Sequence, residues 1–140
     1  MSAYQHAFTV QFDEADPAGI SFFANSLRYH HRAYEAWVTH AMSVSYRDWF
    51  QSSEFAVPIR KSESEYNGPL HPGSTYHVHL SLKEVGDSSF ELESTITPID
   101  QHTVVLALSR TVHVFMDLKT RKKMLIPDRF RSLFATSMKQ

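Results

Sequence analysis

The chain has 140 residues, 42% hydrophobic and 13% aromatic, enough to bury the core of one domain spanning 1–140 and too few for a second independent one. It has no cysteine, which excludes disulfides, thiolate metal sites and cysteine nucleophiles. A formal net charge of -1 argues against a nucleic-acid or other polyanion binder, and without a leader pattern or an apolar run of membrane-span length a soluble cytoplasmic protein is expected.

In chain order, Phe8, Val10 and Phe12 alternate with Thr9, Gln11 and Asp13, the period of a half-buried strand over about residues 5–13. Pro17 and Gly19 break that pattern. A helix of about residues 22–41 follows, with Phe23, Leu27, Ala33, Tyr34, Trp37, Val38 and Ala41 forming a broad apolar face. A short helix is expected near 45–52. Val57, Ile59, Ser62, Ser64 and Tyr66 then extend as a strand, stopped by Asn67-Gly68-Pro69 and His71-Pro72-Gly73.

Tyr76, Val78, Leu80 and Leu82 alternate with His77, His79, Ser81 and Lys83, the clearest strand in the chain. After the Gly86–Ser89 turn, Phe90, Leu92, Ser94 and Ile96 give another, ending at Pro98. The run Thr103–Phe115 is apolar on both phases, which predicts a central strand covered on both faces. Asp117–Arg121 turns the chain, and Pro127 can start a last short helix with Phe130, Leu133 and Phe134. Strand, long helix and four further strands make an α+β protein in which one helix packs on a largely antiparallel sheet.

Asp16 sits on the strand-to-helix turn, where the open amino end of the coming helix favours negative charge. By itself such a residue is more often an ordinary turn or cap carboxylate than a catalytic one. Asp13 and Glu14 neighbour it, but adjacent side chains diverge and Glu14 is expected to be solvated. Glu35 either faces a site or flanks the helix. Lys119, Arg121, Lys122 and Lys123 form a local basic run, either a solvated loop or a phosphate site. Among nine histidines, His77 and His79 share a strand face and His30 and His31 are helix neighbours. Neither pair has an evident third ligand in the sequence, so no metal site is expected. No serine lies in a Gly-x-Ser-x-Gly elbow.

Asp16-Pro17-Ala18-Gly19-Ile20 followed by Phe22 and Phe23, between a strand and a helix, resembles the hotdog-fold acyl-CoA thioesterases of the 4-hydroxybenzoyl-CoA thioesterase family. His31, Ala33-Tyr34-Glu35-Ala36-Trp37, Phe55-Ala56-Val57-Pro58 and Arg121-Lys122-Lys123 before Pro127 make the chain look closest to the 1,4-dihydroxy-2-naphthoyl-CoA thioesterases of phylloquinone and menaquinone synthesis. The resemblance implies an antiparallel sheet wrapped around one central helix, with two subunits joining their sheets and active sites at the interface. A dimer is the minimum and a tetramer is suggested.

Carried over, Asp16 would be nucleophile or general base, the Phe23 backbone N–H would polarise the thioester carbonyl, and Gly19 would let the ligand approach. Phe22 would contact the substrate, and Arg121, Lys122 and Lys123 would contact the CoA phosphates. No cofactor is implied, CoA being part of the substrate. One departure stands out: where the 4-hydroxybenzoyl enzyme carries basic phosphate contacts, this chain has Val85-Gly86-Asp87-Ser88. Aromatic acyl-CoA hydrolysis is the leading expectation. The alternatives are a broad short- or medium-chain acyl-CoA thioesterase and a non-catalytic acyl-CoA-binding hotdog module.

Overall fold

The computed structural model describes residues 4–139. Five strands, β1 (Tyr4–Thr9), β3 (Ile59–Tyr66), β4 (Thr75–Val85), β5 (Ser89–Pro98) and β6 (Ala107–Val114), form one sheet in the order β1-β4-β5-β6-β3, with antiparallel pairing throughout. A two-residue strand β2 (Phe55–Ala56) pairs separately with β7 (Met116–Asp117). Helix α1 (Ala24–Ala36) widens into a π-helical turn over Trp37–Ala41, followed by α2 (Tyr46–Phe50), while α3 (Asp128–Lys139) closes the chain.

The alternation in β4 and β5 explains how the sheet holds α1. Tyr76, Val78, Leu80 and Leu82 face inward with Phe90, Leu92 and Ile96, and all are buried. Burying one such side chain contributes about 1.5–3 kcal/mol, so this face holds the helix while the outer face stays polar. Along α1 the buried positions are Ser26, Tyr29, His30, Ala33 and Tyr34, continued by Trp37 and Val38, the stripe of a helix lying on a sheet. At its carboxyl end Trp49 packs among Phe55, Phe90, Phe115, Phe130 and Phe134, and its indole N–H donates to the Tyr34 hydroxyl at 2.6 Å. A buried indole needs such a partner.

Several expectations are corrected. The first strand stops at Thr9, because Phe12–Glu14 form a 3-10 turn that leaves Phe12 91% exposed. Phe23 and Leu27 are exposed, at 63% and 43%, as is Ala41, so the helix's apolar face is narrower than its composition suggests. Residues 103–106 precede β6 instead of joining it, and β6 is buried on one phase only, with Arg110 exposed on the other. The last helix is longer than a short tail, at 12 residues. No helix among the described residues is long and apolar enough to cross a membrane.

Candidate active site

The segment between β1 and α1 folds back on itself as a small hairpin. Asp16 N–H donates to Ile20 O at 2.9 Å, Gly19 N–H to Asp16 O at 2.9 Å, and Phe22 N–H to Glu14 O at 3.0 Å. Gly19 takes φ +79, while the position of an added Cβ meets no atom within 4 Å. Within the subunit the glycine is therefore required by its left-handed backbone and not by close packing. Asp16 is half-buried, and one carboxylate oxygen accepts the Ala18 N–H at 2.8 Å. That bond aims the side chain and leaves the second oxygen without a partner among the described residues.

Glu14 is a correction, being 9% exposed instead of solvated. It accepts the Gln11 N–H at 2.8 Å and lies 3.8 Å from Arg32, so it anchors the hairpin to α1. The Asn25 side chain adds a second tie by donating to Glu14 O at 3.0 Å. Together these bonds fix where the helix begins.

At that start, Phe23 takes the N-cap position with no side-chain cap. The amides of Asn25 and Ser26 donate to Phe22 O and Phe23 O, whereas those of Phe23 and Ala24 have no acceptor among the described residues. Two uncapped N–H groups at the positive end of a helix dipole are a ready site for an oxyanion. Pockets open on both sides of it. One, of about 500 Å³, is walled by Ser21, Phe22, Phe23, Ser26, Tyr66 and Ala107. The other, of about 470 Å³, is walled by Ala24, Leu27, His30, Tyr34 and inward residues of β3, β5 and β6.

Four buried side-chain atoms among the described residues lack any hydrogen-bond partner: Ser26 Oγ, His30 Nε2, Ser109 Oγ and His113 Nδ1. Ser26 lines the first pocket, and the other three residues line the second. Leaving such an atom unsatisfied costs about 1–3 kcal/mol, so both pockets are shaped for contents with polar groups. The sequence carried one missed signal. Ser94 and Ser109 oppose each other in the β5–β6 register on an otherwise apolar inward face, and Ser94 bonds His30 Nδ1.

Burial, with no acidic partner, lowers the pKa of His30 to about 4. Burial, assisted by nearby His31, lowers that of His113 to about 3. Both rings are therefore neutral at pH 7. Because each protonates more readily once unfolded, their contribution is complete above about pH 6.5 and is lost as the pH falls towards 4 and then 3. Urea unfolding at pH 7, 6, 5 and 4.5 should show stability falling by about 1.4 kcal/mol per pH unit for each histidine below pH 6, and by less in His30→Gln. A flat profile would contradict the assignment.

The other sequence-predicted positions divide. Phe22 and Phe23 line the first pocket, and Asp16 and Gly19 sit on the hairpin whose return segment, Ile20–Ser21, forms its wall. Glu35 lines neither pocket. Arg121, Lys122 and Lys123 are exposed on the turn after β7, held by Asp117 through the amides of Lys119 and Thr120, with Arg121 at φ 60. Those amide bonds lower the Asp117 pKa. β6 separates this turn from the Phe23 pocket, eight residues or about 26 Å of strand, so one subunit does not bring the two together. The Gly86-Asp87 turn is occupied differently, its carbonyls accepting the Arg131 guanidinium at 3.1 and 2.9 Å.

One helix held in an antiparallel sheet, with a carboxylate hairpin at its amino end, defines a hotdog-fold protein. Residues 10–134 match the thioesterase-like superfamily. A 1,4-dihydroxy-2-naphthoyl-CoA hydrolase of Gloeothece citriformis is 32% identical over 120 residues, covering 86% of this chain and 83% of that protein. The enzyme of the same name from Thermosynechococcus vestitus is also 32% identical, covering 86% and 80%. The crystal structure of a 1,4-dihydroxy-2-naphthoyl-CoA thioesterase from Synechocystis superposes with a TM-score of 0.86 over 95% of this chain and 96% of that one, at 24% identity. That likeness establishes the fold. The chain belongs to the thioesterase-like superfamily.

Proposed function

We propose that this protein hydrolyses an aromatic acyl-CoA thioester, with 1,4-dihydroxy-2-naphthoyl-CoA as substrate. The observation that carries the chemistry is the helix start, where two free amides lie beside a carboxylate hairpin and between two pockets whose buried polar atoms lack partners. The relatives' shared activity supports the choice of acyl group. The thioester carbonyl would sit on the Phe23 N–H, with the acyl ring in the pocket of His30 and His113. There Leu27, Leu80 and Leu92 supply apolar walls, and the unpartnered histidine and serine atoms meet the ring hydroxyls.

Asp16 attacks the carbonyl or draws the proton from an attacking water, and the amide stabilises the oxyanion. The C–S bond then breaks and the CoA thiolate takes up a proton; with water as the attacking group the free acid leaves directly, and with Asp16 as nucleophile the resulting acyl-Asp16 anhydride is first hydrolysed by water, which releases the acid and restores the carboxylate. The thiolate is a good leaving group, so this route needs no cofactor. The product would enter phylloquinone or menaquinone synthesis, and a CoA-linked substrate suits a cytoplasmic protein.

The test is a kcat/KM panel of hydroxynaphthoyl-, benzoyl-, hexanoyl- and decanoyl-CoA. The naphthoyl thioester should exceed the aliphatic ones by at least about tenfold, since one or two additional polar contacts in a desolvated pocket are worth about 1.4 kcal/mol or more. A preference for aliphatic chains would overturn the aromatic assignment.

The edge of the sheet supports an oligomer. β3 is paired on one side only, by β6, and is exposed over most of its length. Its end residues Ile59 and Tyr66, and Phe23 and Leu27 at the start of the helix, are all more than 40% exposed. An unpaired strand flanked by apolar side chains invites a second copy. Antiparallel self-pairing of β3 would carry the partner's basic turn towards this subunit's helix start, giving Arg121, Lys122 and Lys123 access to CoA phosphates. Light scattering at micromolar concentration should give at least twice the 16.1 kDa chain mass, with a tetramer as the expected final assembly. A fully active monomer would contradict this arrangement.

A further inference from the structure

On the side of the sheet facing away from α1, three histidines converge although the sequence offered only two. His77 and His79 lie two apart on the outward phase of β4, opposite Thr97 and Thr95 of β5. The connection from β5 to β6 turns back over them, held by Gln101 N–H to Pro98 O at 3.3 Å and Val104 N–H to Gln101 O at 3.0 Å. It places His102 Nε2 at 3.0 Å from His77 Nδ1, across a separation of 25 residues. One ring nitrogen from each of the three lies within 4.8 Å of the others. That closure is invisible in sequence because it depends on the path of the loop.

We propose that His77, His79 and His102 form a binding site for one divalent transition-metal ion of the Zn²⁺ class. A tetrahedral ion with Zn–N bonds of about 2.0–2.1 Å sets its ligand nitrogens about 3.3–3.4 Å apart. The observed spacings, from 3.0 Å to under 4.8 Å, bracket that value, so small ring rotations suffice. Three imidazoles and no carboxylate or thiolate in the cluster suit Zn²⁺, Cu²⁺, Ni²⁺ or Co²⁺ and not Mg²⁺ or Ca²⁺.

One further feature favours binding. Thr97 is 1% exposed despite its outward phase, and its hydroxyl lies 2.9 Å from His79 Nε2, fixing that ring; such outer contacts orient ligands. A His77–His102 hydrogen bond alone would account for one pair and leaves the approach of His79 to both unexplained. The fourth position faces solvent beside exposed His102, where water completes the shell.

The ion would pin the loop to β4. The loop ends at Leu106, whose carbonyl accepts the amides of Asn67 and Gly68 at 2.8 and 3.2 Å, and both residues line the Phe23 pocket. The clamp would thus steady one wall of that pocket from the far side of the sheet. It does not depend on the hydrolase assignment.

The test is titration of tag-free, chelator-treated protein with Co²⁺, followed by visible spectroscopy and competition with Zn²⁺, on wild type, His77→Gln and His102→Gln. His102 is on an exposed loop, so its variant should fold as the wild type does. The expected result is one Co²⁺ per chain with tetrahedral visible bands, displaced by Zn²⁺, and affinity at least about tenfold weaker in both variants. Zn²⁺ should also raise the melting temperature of wild type and not of His102→Gln. Absence of saturable binding, or equal binding by wild type and His102→Gln, overturns the site.

Discussion

Asp16→Asn should lower kcat by about 10²–10⁴-fold, the range for removing a positioned acid or base, with KM and melting temperature close to wild type. The substitution isolates charge from structure. An asparagine oxygen can still accept the Ala18 N–H that Asp16 accepts at 2.8 Å, and the Asp16 backbone bonds to Ile20 and Gly19 do not involve the side chain. Asp16→Ala removes both functions and should lose stability as well as rate. Steady-state kinetics with a hydroxynaphthoyl-CoA thioester, paired with binding of a non-hydrolysable CoA analogue, separates the two effects. If Asp16→Asn turned over at the wild-type rate, the hairpin carboxylate would be a turn residue only.

What could be read in the sequence followed periodicity. β4 and β5 alternate because one face packs on α1, and their side chains record that contact at every second residue. The turn residues around Gly19, Gly68 and Gly73 likewise marked reversals. Glu14 was misjudged because its partners are the Gln11 amide and Arg32, the latter more than two helix turns into α1. β6 was overextended because Val104, Val105 and Leu106 are apolar yet precede the strand, which begins at Ala107, Leu106 packing over Gly68, where its side chain would lie 2.8 Å from an added Cβ. His102 and the unpartnered His30 and His113 were missed for a common reason. Their meaning lies in loop path and cross-strand register, which spacing along the chain does not encode.

The family resemblance carried more of the site than periodicity did. Asp16 as a lone carboxylate is ambiguous, and the hairpin that aims it becomes visible only through backbone bonds that close between Asp16 and Ile20. The basic turn is the opposite case, a sequence feature that a single subunit leaves on the far end of β6 from the helix start. Its proposed role requires the second copy that the exposed β3 edge invites.

Phe23→Pro tests the other half of the device. Phe23 has φ -56, close to the value proline imposes, and proline is well tolerated at the start of a helix. Its N–H has no acceptor among the described residues, so removing it costs no internal hydrogen bond. The substitution therefore deletes one oxyanion donor while the helix start is retained, and kcat should fall by about 10²–10³-fold. It also deletes a ring lying 4.9 Å from Phe22 and 6.0 Å from Tyr66 between centroids, which affects packing and substrate contact. Phe23→Ala supplies the control, since it removes the same ring and keeps the amide. Melting temperatures of the two variants should agree within a few degrees, with kcat differing by at least about tenfold. Equal kcat in the two variants would remove the Phe23 amide from the mechanism and leave the Ala24 N–H as the remaining free donor at the helix start.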